Sequence, residues 1–248
     1  VLVFFLSLKL ITLLISKFVL VFLLALQDLG RLIFGLGQGA IGLFSEQTFD
    51  QIMPSRRKFL TAAATAVAAV PFTGMLYGIT KGKYRYTIEN VVLKFKDLPD
   101  KFHGFTLAQI SDIHSGSWDN FREVARGVAK ISELNPDMIV FTGDLVNANK
   151  DEINPYRDLF VDLKAPFGKY AILGNHDYYG VPRSSEKAEQ EYWKDFYSKF
   201  QYMGFDLLLN ESRTIEKDGD RIKLIGVENW GEGRWFPKKG DMDKACEA

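Results

Sequence analysis

One cysteine, Cys246, is all that the 248-residue chain carries. An internal disulfide is excluded, and so is a structural zinc site built from a cysteine cluster. Net charge is missing too. Lys plus Arg and Asp plus Glu stand at 31 each, so no net field draws the chain toward nucleic acid or acidic substrates, and no nucleic-acid partner is expected. Histidine is scarce: His103, His114 and His176 are the complete set. What is present in quantity is apolar sequence, 47% of the chain against 25% charged, and it is unevenly spread. Residues 1–80 are dominated by apolar runs, whereas 81–248 mix polar and apolar residues with regular punctuation.

Val1 to Leu26 is apolar apart from Lys9, Lys17 and a few hydroxyls. That length crosses a bilayer core of roughly 30 Å. Lys17, near the middle, then faces another helix or snorkels to the headgroups. Phe59 to Ile79 is a second uncharged stretch, rich in Ala and Val. The expected organisation is a membrane region over 1–80, with spans at about 1–26 and 59–79 joined by an amphipathic connector at 27–58, followed by a domain over 81–248. Ser55-Arg56-Arg57-Lys58-Phe59-Leu60 resembles a twin-arginine export signal. Lys81, Lys83 and Arg85 follow the second stretch almost as densely as Arg56 to Lys58 precede it, so positive charge alone does not orient it. The twin-arginine resemblance puts residues 81 onward on the extracytoplasmic side of the membrane. No small-residue cleavage site follows, which predicts an uncleaved anchor.

Beyond residue 80 the pattern is α/β. Tyr84, Tyr86, Ile88, Leu93 and Phe95 alternate with polar residues and predict a half-exposed strand or hairpin. Phe105 to Ile110 reads as a buried strand. Phe121, Val124, Val128, Ile131 and Leu134 then recur at helical spacing behind Asn120 and Glu123, a candidate capping box. A second strand, Met138 to Phe141, precedes a helix expected to start at Asn154-Pro155. A third, Tyr170 to Leu173, precedes a helix from about Ser185 with Ala188, Tyr192, Phe196, Phe200 and Met203 on one face and Gly204 as its stop. Leu207 to Leu209 and Ile222 to Val227 read as a strand pair turning near Asp218-Gly219. Alternating strands and helices predict a largely parallel sheet, which binds ligands beyond the carboxyl ends of its strands.

Chemistry-bearing residues stand at those ends. Ser111-Asp112-Ile113-His114 follows the first core strand, Gly143-Asp144 the second, and Gly174-Asn175-His176-Asp177 the third. Parallel strands would gather Asp112, His114, Asp144, Asn175 and His176 into one metal-site set. Carboxylates with an imidazole suit divalent Mn, Fe or Zn, and Asp144 can bridge two ions through its two oxygens. Gly143 and Gly174 would let the backbone turn sharply and approach phosphate. An Asp-x-His or a Gly-Asp alone is common at strand ends; the three segments in order after successive strands carry the inference. His103 has no acidic neighbour at ligand spacing and is expected at the surface or in packing. Tyr178, Tyr179, Trp193, Trp230 and Trp235 are candidates for a substrate groove, with core packing the better account of Trp193.

These three segments, with the approach from Leu98-Pro99 to Gly104-Phe105, resemble the calcineurin-like metallophosphoesterases, in particular bacterial membrane-anchored or twin-arginine-exported ones, over roughly residues 84–248. The resemblance implies a sandwich of two mixed β-sheets flanked by helices. It implies two divalent metal ions held by Asp112, His114, Asp144 and Asn175, with His176 contacting phosphate or protonating the leaving oxygen. The implied activity is hydrolysis of a phosphomonoester, phosphodiester or pyrophosphate at the membrane, on a phosphorylated small-molecule or lipid-linked substrate. The family also supplies a later His and a Gly-His-x-His segment, and no histidine follows His176 here. The chain opens on Val1 and stops at Ala248 without a closing element, so the domain is expected to be C-terminally incomplete and, by itself, a weak metal binder. The alternative is a catalytically silent membrane-bound module that binds phosphate or a protein.

Overall fold

The computed structural model describes residues 14, 15, 17–26, 28–30, 53–231 and 236–247, and the chain divides into two compact units, Val1–Tyr86 and Thr87–Ala248. In the first unit the described residues between 14 and 30 are helical. Helix α1, Met53–Thr80, covers the expected 59–79 stretch and holds Pro71 in its interior. Three of its threonines, 65, 73 and 80, return their hydroxyls to the carbonyls of Thr61, Ala69 and Leu76 at 2.7–2.9 Å, which satisfies each donor within the helix. No helix among the described residues is long and apolar enough to cross a membrane. Residues 1–13 of the first expected span and 31–52 of the connector lie outside the described residues, as does Trp235.

The second unit is built on a four-stranded, all-parallel sheet in the order β1-β2-β3-β4, comprising Leu107–Ile110, Met138–Phe141, Lys169–Ala171 and Asp206–Leu207. Helices α2 (Phe121–Glu133), α3 (Arg157–Val161) and α4 (Glu186–Tyr202) make the crossovers. Their starts follow local chemistry. Asn120 accepts the Glu123 N–H at 3.3 Å, and Ser185 accepts that of Ala188 at 3.2 Å. Gly204, at φ 78°, follows α4 in the left-handed conformation that ends helices.

Alternation along β2 sorts the core. Met138 and Val140 pack with Phe102 and Tyr170 against Ile215, Ile222 and Leu224. On the opposite face Phe141 stacks 6.2 Å from Phe200 of α4, whose Tyr192, Phe196 and Phe200 are buried as their spacing predicts. Burying each such side chain contributes about 1.5–3 kcal/mol. Lys169, at the start of β3, donates to Phe160 and Met203 carbonyls at 2.9 and 2.6 Å, where α3 and α4 end, and burial pushes its ammonium down to about 8.

Four expectations need correction. Among the described residues neither sheet is mixed: beside the parallel sheet stands an antiparallel hairpin of β5 (Glu211–Lys217) and β6 (Asp220–Gly226). Leu207 pairs with Ala171 of β3 rather than with β6, because the α4 crossover returns the chain parallel to the sheet; the Asp218-Gly219 turn is found where expected. Residues 85–95 form no ladder, and Val91, Val92, Leu93 and Phe95 are 61–82% exposed; alternation marks faces, not a partner. Asn154 caps no α-helix. A 3-10 turn at Lys150–Ile153 precedes α3, and the Asn154 side chain instead accepts from buried Lys199 at 2.9 Å. A short helix α5, Met242–Glu247, closes the described chain.

Candidate metal centre

Sheet register gathers the site. Ile110, Phe141 and Ala171 stand side by side at the ends of β1, β2 and β3, so Asp112, Asp144 and Asn175 follow two, three and four residues later at one edge. The first two loops keep running side by side beyond the strands, with the amides of Asp112, His114 and Ser115 donating to the carbonyls of Gly143, Asp144 and Leu145 at 2.9–3.0 Å. Asp112, His114 and Asp144 all adopt positive φ, at 52°, 45° and 60°. Such backbone is unfavourable for non-glycine residues and persists only where surrounding contacts enforce it.

Ligand atoms of His114, Asp144 and His176 lie within 4.8 Å of one another. His114 Nε2 is 3.6 Å from Asp144 Oδ2 and 3.7 Å from Asp112 Oδ1, and the two imidazole rings meet edge to face at 4.6 Å. Asp112 is the most exposed of the set and accepts from Ser111 Oγ at 2.6 Å. His176, expected to act on phosphate rather than on metal, therefore sits inside the cluster. Its Nδ1 faces the Asn147 carbonyl at 2.7 Å. A carbonyl only accepts, so the Nδ1 proton is fixed there and Nε2 is left for the site.

Asp144 Oδ1 accepts the His176 N–H at 2.8 Å. A bridge through both Asp144 oxygens would share Oδ1 with that amide; Oδ2 is the oxygen turned to His114. Asn175 donates its amide N–H to Tyr179 Oη at 2.7 Å, which leaves its carbonyl oxygen as the ligand atom. Tyr179 also packs on the His176 ring at 4.7 Å. His103 is exposed and apart from the cluster, as expected.

The sharp turn expected of the glycines is found at Gly143, and both glycines also face the neighbouring loop. A Cβ on Gly143 would stand 2.2 Å from Gly174 N, and one on Gly174 would stand 2.3 Å from Asp144 Oδ1. Both residues let two loops meet backbone to backbone; only Gly143, at φ 99°, also needs a left-handed conformation. Sequence reasoning assigned no role to Asp177 or the Asn147 carbonyl, and gave Tyr179 only a place in a candidate substrate groove. Asp177 is fully buried and accepts four backbone N–H groups from the two loops. Burial pushes its carboxyl up to about 7, against the pull of those donors. An acid in fourth place after Gly-Asn-His was the available signal.

Of the aromatics proposed for a groove, Trp193 packs with Tyr178, Phe196 and Tyr197 at 5.3–6.2 Å. Tyr178 donates to Glu228 at 2.7 Å, and burial with that carboxylate pushes its phenol up. Trp230 is exposed beneath Lys238.

Residues 105–243 match the family described as Calcineurin-like phosphoesterase, and residues 2–83 match that described as Probable Calcineurin-like phosphoesterase, transmembrane domain. A zebrafish (Danio rerio) transmembrane protein with metallophosphoesterase domain is 30% identical over 77% of this chain and 41% of its own length. An uncharacterized metallophosphoesterase of Bacillus subtilis is 31% identical over 71% of this chain and 60% of its own. A UDP-2,3-diacylglucosamine pyrophosphatase of Chlamydia muridarum is 43% identical over 33% of this chain and 26% of its own. The chain thus spans less than two thirds of each of these relatives.

Proposed function

Because the chain belongs to the calcineurin-like phosphoesterase family, we propose that it serves metal-dependent hydrolysis of a phosphomonoester, phosphodiester or pyrophosphate bond at a membrane surface. The observation that carries this reading is the meeting of His114, Asp144 and His176 at the carboxyl ends of three parallel strands. The donor set fits the cofactor: imidazole nitrogen, carboxylate oxygen and an amide oxygen suit Mn, Fe or Zn. Asp112, His114, Asp144 and Asn175 would hold two such ions, which when bound neutralise phosphate charge and acidify water enough to supply hydroxide near neutral pH.

The chain's own residues do the positioning. Tyr179 orients the Asn175 amide, and the His176 N–H fixes one oxygen of Asp144. With Nδ1 anchored on Asn147, His176 presents Nε2 to the site, and only when Nε2 also carries a proton can it hydrogen-bond phosphate or hand that proton to the leaving oxygen. The match of residues 2–83 to a transmembrane domain supports a membrane setting, and the Arg56-Arg57 motif supports an extracytoplasmic site held by an uncleaved anchor. Relatives named as pyrophosphatases of a UDP-linked diacylglucosamine support a lipid-linked or small phosphorylated substrate.

The test is turnover of a generic aryl phosphodiester by the full-length protein with Mn or Zn. His176→Ala is expected to lower turnover about 100-fold or more, and Asp144→Asn and Asn175→Ala at least as much, while His103→Ala leaves it unchanged. Wild-type-like turnover in the Asp144 variant would sink the metal assignment. A wild-type protein that binds phosphate and hydrolyses nothing would establish the silent module instead.

A further inference from the structure

We propose that Asp177 is a positioning residue for the metal centre, its buried carboxylate holding the loops after β2 and β3 in the one register that aims Asp144 and His176 at the same point. Asp177 has this role only if the strand-end cluster holds metal, as proposed above. At Gly143 and Gly174 the two loops approach too closely for a side chain to stand between them. A Cβ on either Gly143 or Gly174 would collide with the facing loop, so hydrogen bonds must hold the contact.

Those bonds converge on Asp177. Its Oδ2 accepts from Asp144 N and Gly174 N, both at 2.9 Å, and its Oδ1 accepts from Leu145 N at 2.9 Å and Val146 N at 3.3 Å. Three successive amides after β2 thus form an anion-binding concavity, and the side chain filling it comes from the β3 loop. Asp144 returns the contact, its Oδ1 accepting the His176 N–H. Each loop therefore supplies a carboxylate to the other's backbone. The left-handed conformation of Asp144, at φ 60°, is sustained by this exchange. Removing one Asp177 oxygen leaves two buried amides without an acceptor, and the loop relieves them only by moving Asp144.

Asp177→Asn in the full-length protein is the test, read by Mn binding followed in the spin-resonance signal of the free ion and by aryl phosphodiester turnover. Weakening of Mn affinity by about 10–100-fold is expected, with turnover at saturating metal down about 100-fold and KM nearly unchanged. Wild-type affinity and turnover in the folded variant overturn the role. So does a lower Tm with both values unchanged per folded molecule, which would make Asp177 merely structural. Should the variant not fold, hydrogen exchange in the metal-free wild type decides. Protected amides at Asp144, Leu145 and Gly174 are expected, and exchange as fast as an open loop overturns the clamp. If the wild type binds Mn but cleaves no phosphate, with binding weakened in the variant, the phosphoesterase reading fails and the positioning role stands. A wild type that binds no Mn overturns both.

Discussion

The strand-end loops and the β5–β6 hairpin belong to one unit yet follow opposite rules. Around the loops, left-handed backbone, a fully buried carboxylate and glycines in backbone contact occur together beside the buried side chains of Leu145, Val146 and Leu173. The hairpin spends left-handed backbone only on the Asp218-Gly219 turn, at φ 51° and 90°, and otherwise places Ile215, Ile222 and Leu224 on Met138 and Phe102. The sheet's hairpin-facing side contributes stability without chemistry, while its carboxyl edge gives up local comfort for fixed geometry. Substitutions in the two regions should therefore separate stability from turnover.

Met138→Ala should show the largest loss of stability. Met138 is 2% exposed and central to the hairpin-facing core, so truncation is expected to remove about 2–5 kcal/mol. Turnover per folded molecule should change less than about twofold, since the site lies beyond the far end of β2. Chemical denaturation alongside an active-site titration checks this, and a large fall in turnover with little change in stability would erase the contrast. Gly174→Ala should act on both properties. Its new methyl would press on Asp144, which is expected to cost about 1–3 kcal/mol of stability. Shifting that carboxylate by a fraction of its length should lower turnover about 100-fold. The same pair of measurements reads it.

How much of this was legible beforehand divides along the same line. Met138 to Phe141, the helix behind Asn120 and the helix behind Ser185 follow from caps, periodicity and a glycine stop, all signals within one turn of the residue concerned. The Asp-x-His, Gly-Asp and Gly-Asn-His-Asp segments were visible for the same reason. Pairings were not. Leu207 joins β3 across a helix, and Ile88 to Phe95 alternates without pairing into a ladder, because period-2 patterning specifies faces and leaves the partner to tertiary structure. The role of Asp177 was not legible because three of its four partners are amides some thirty residues away, and a backbone donor leaves no mark in the sequence.

The smallest expected effect isolates conformation from contact. Gly219 has φ 90° like Gly143 at 99°, but a Cβ built on it meets nothing within 4 Å. Gly219→Ala therefore carries only the penalty of left-handed backbone, about 1 kcal/mol. A two-residue turn that needs positive φ at both centres then becomes less favourable without any clash. Thermal unfolding should report a small fall in Tm with metal binding and turnover unchanged. A loss as large as that of Gly174→Ala would mean that the hairpin turn and the strand-end loops are held by the same contacts, and the division between them would fall.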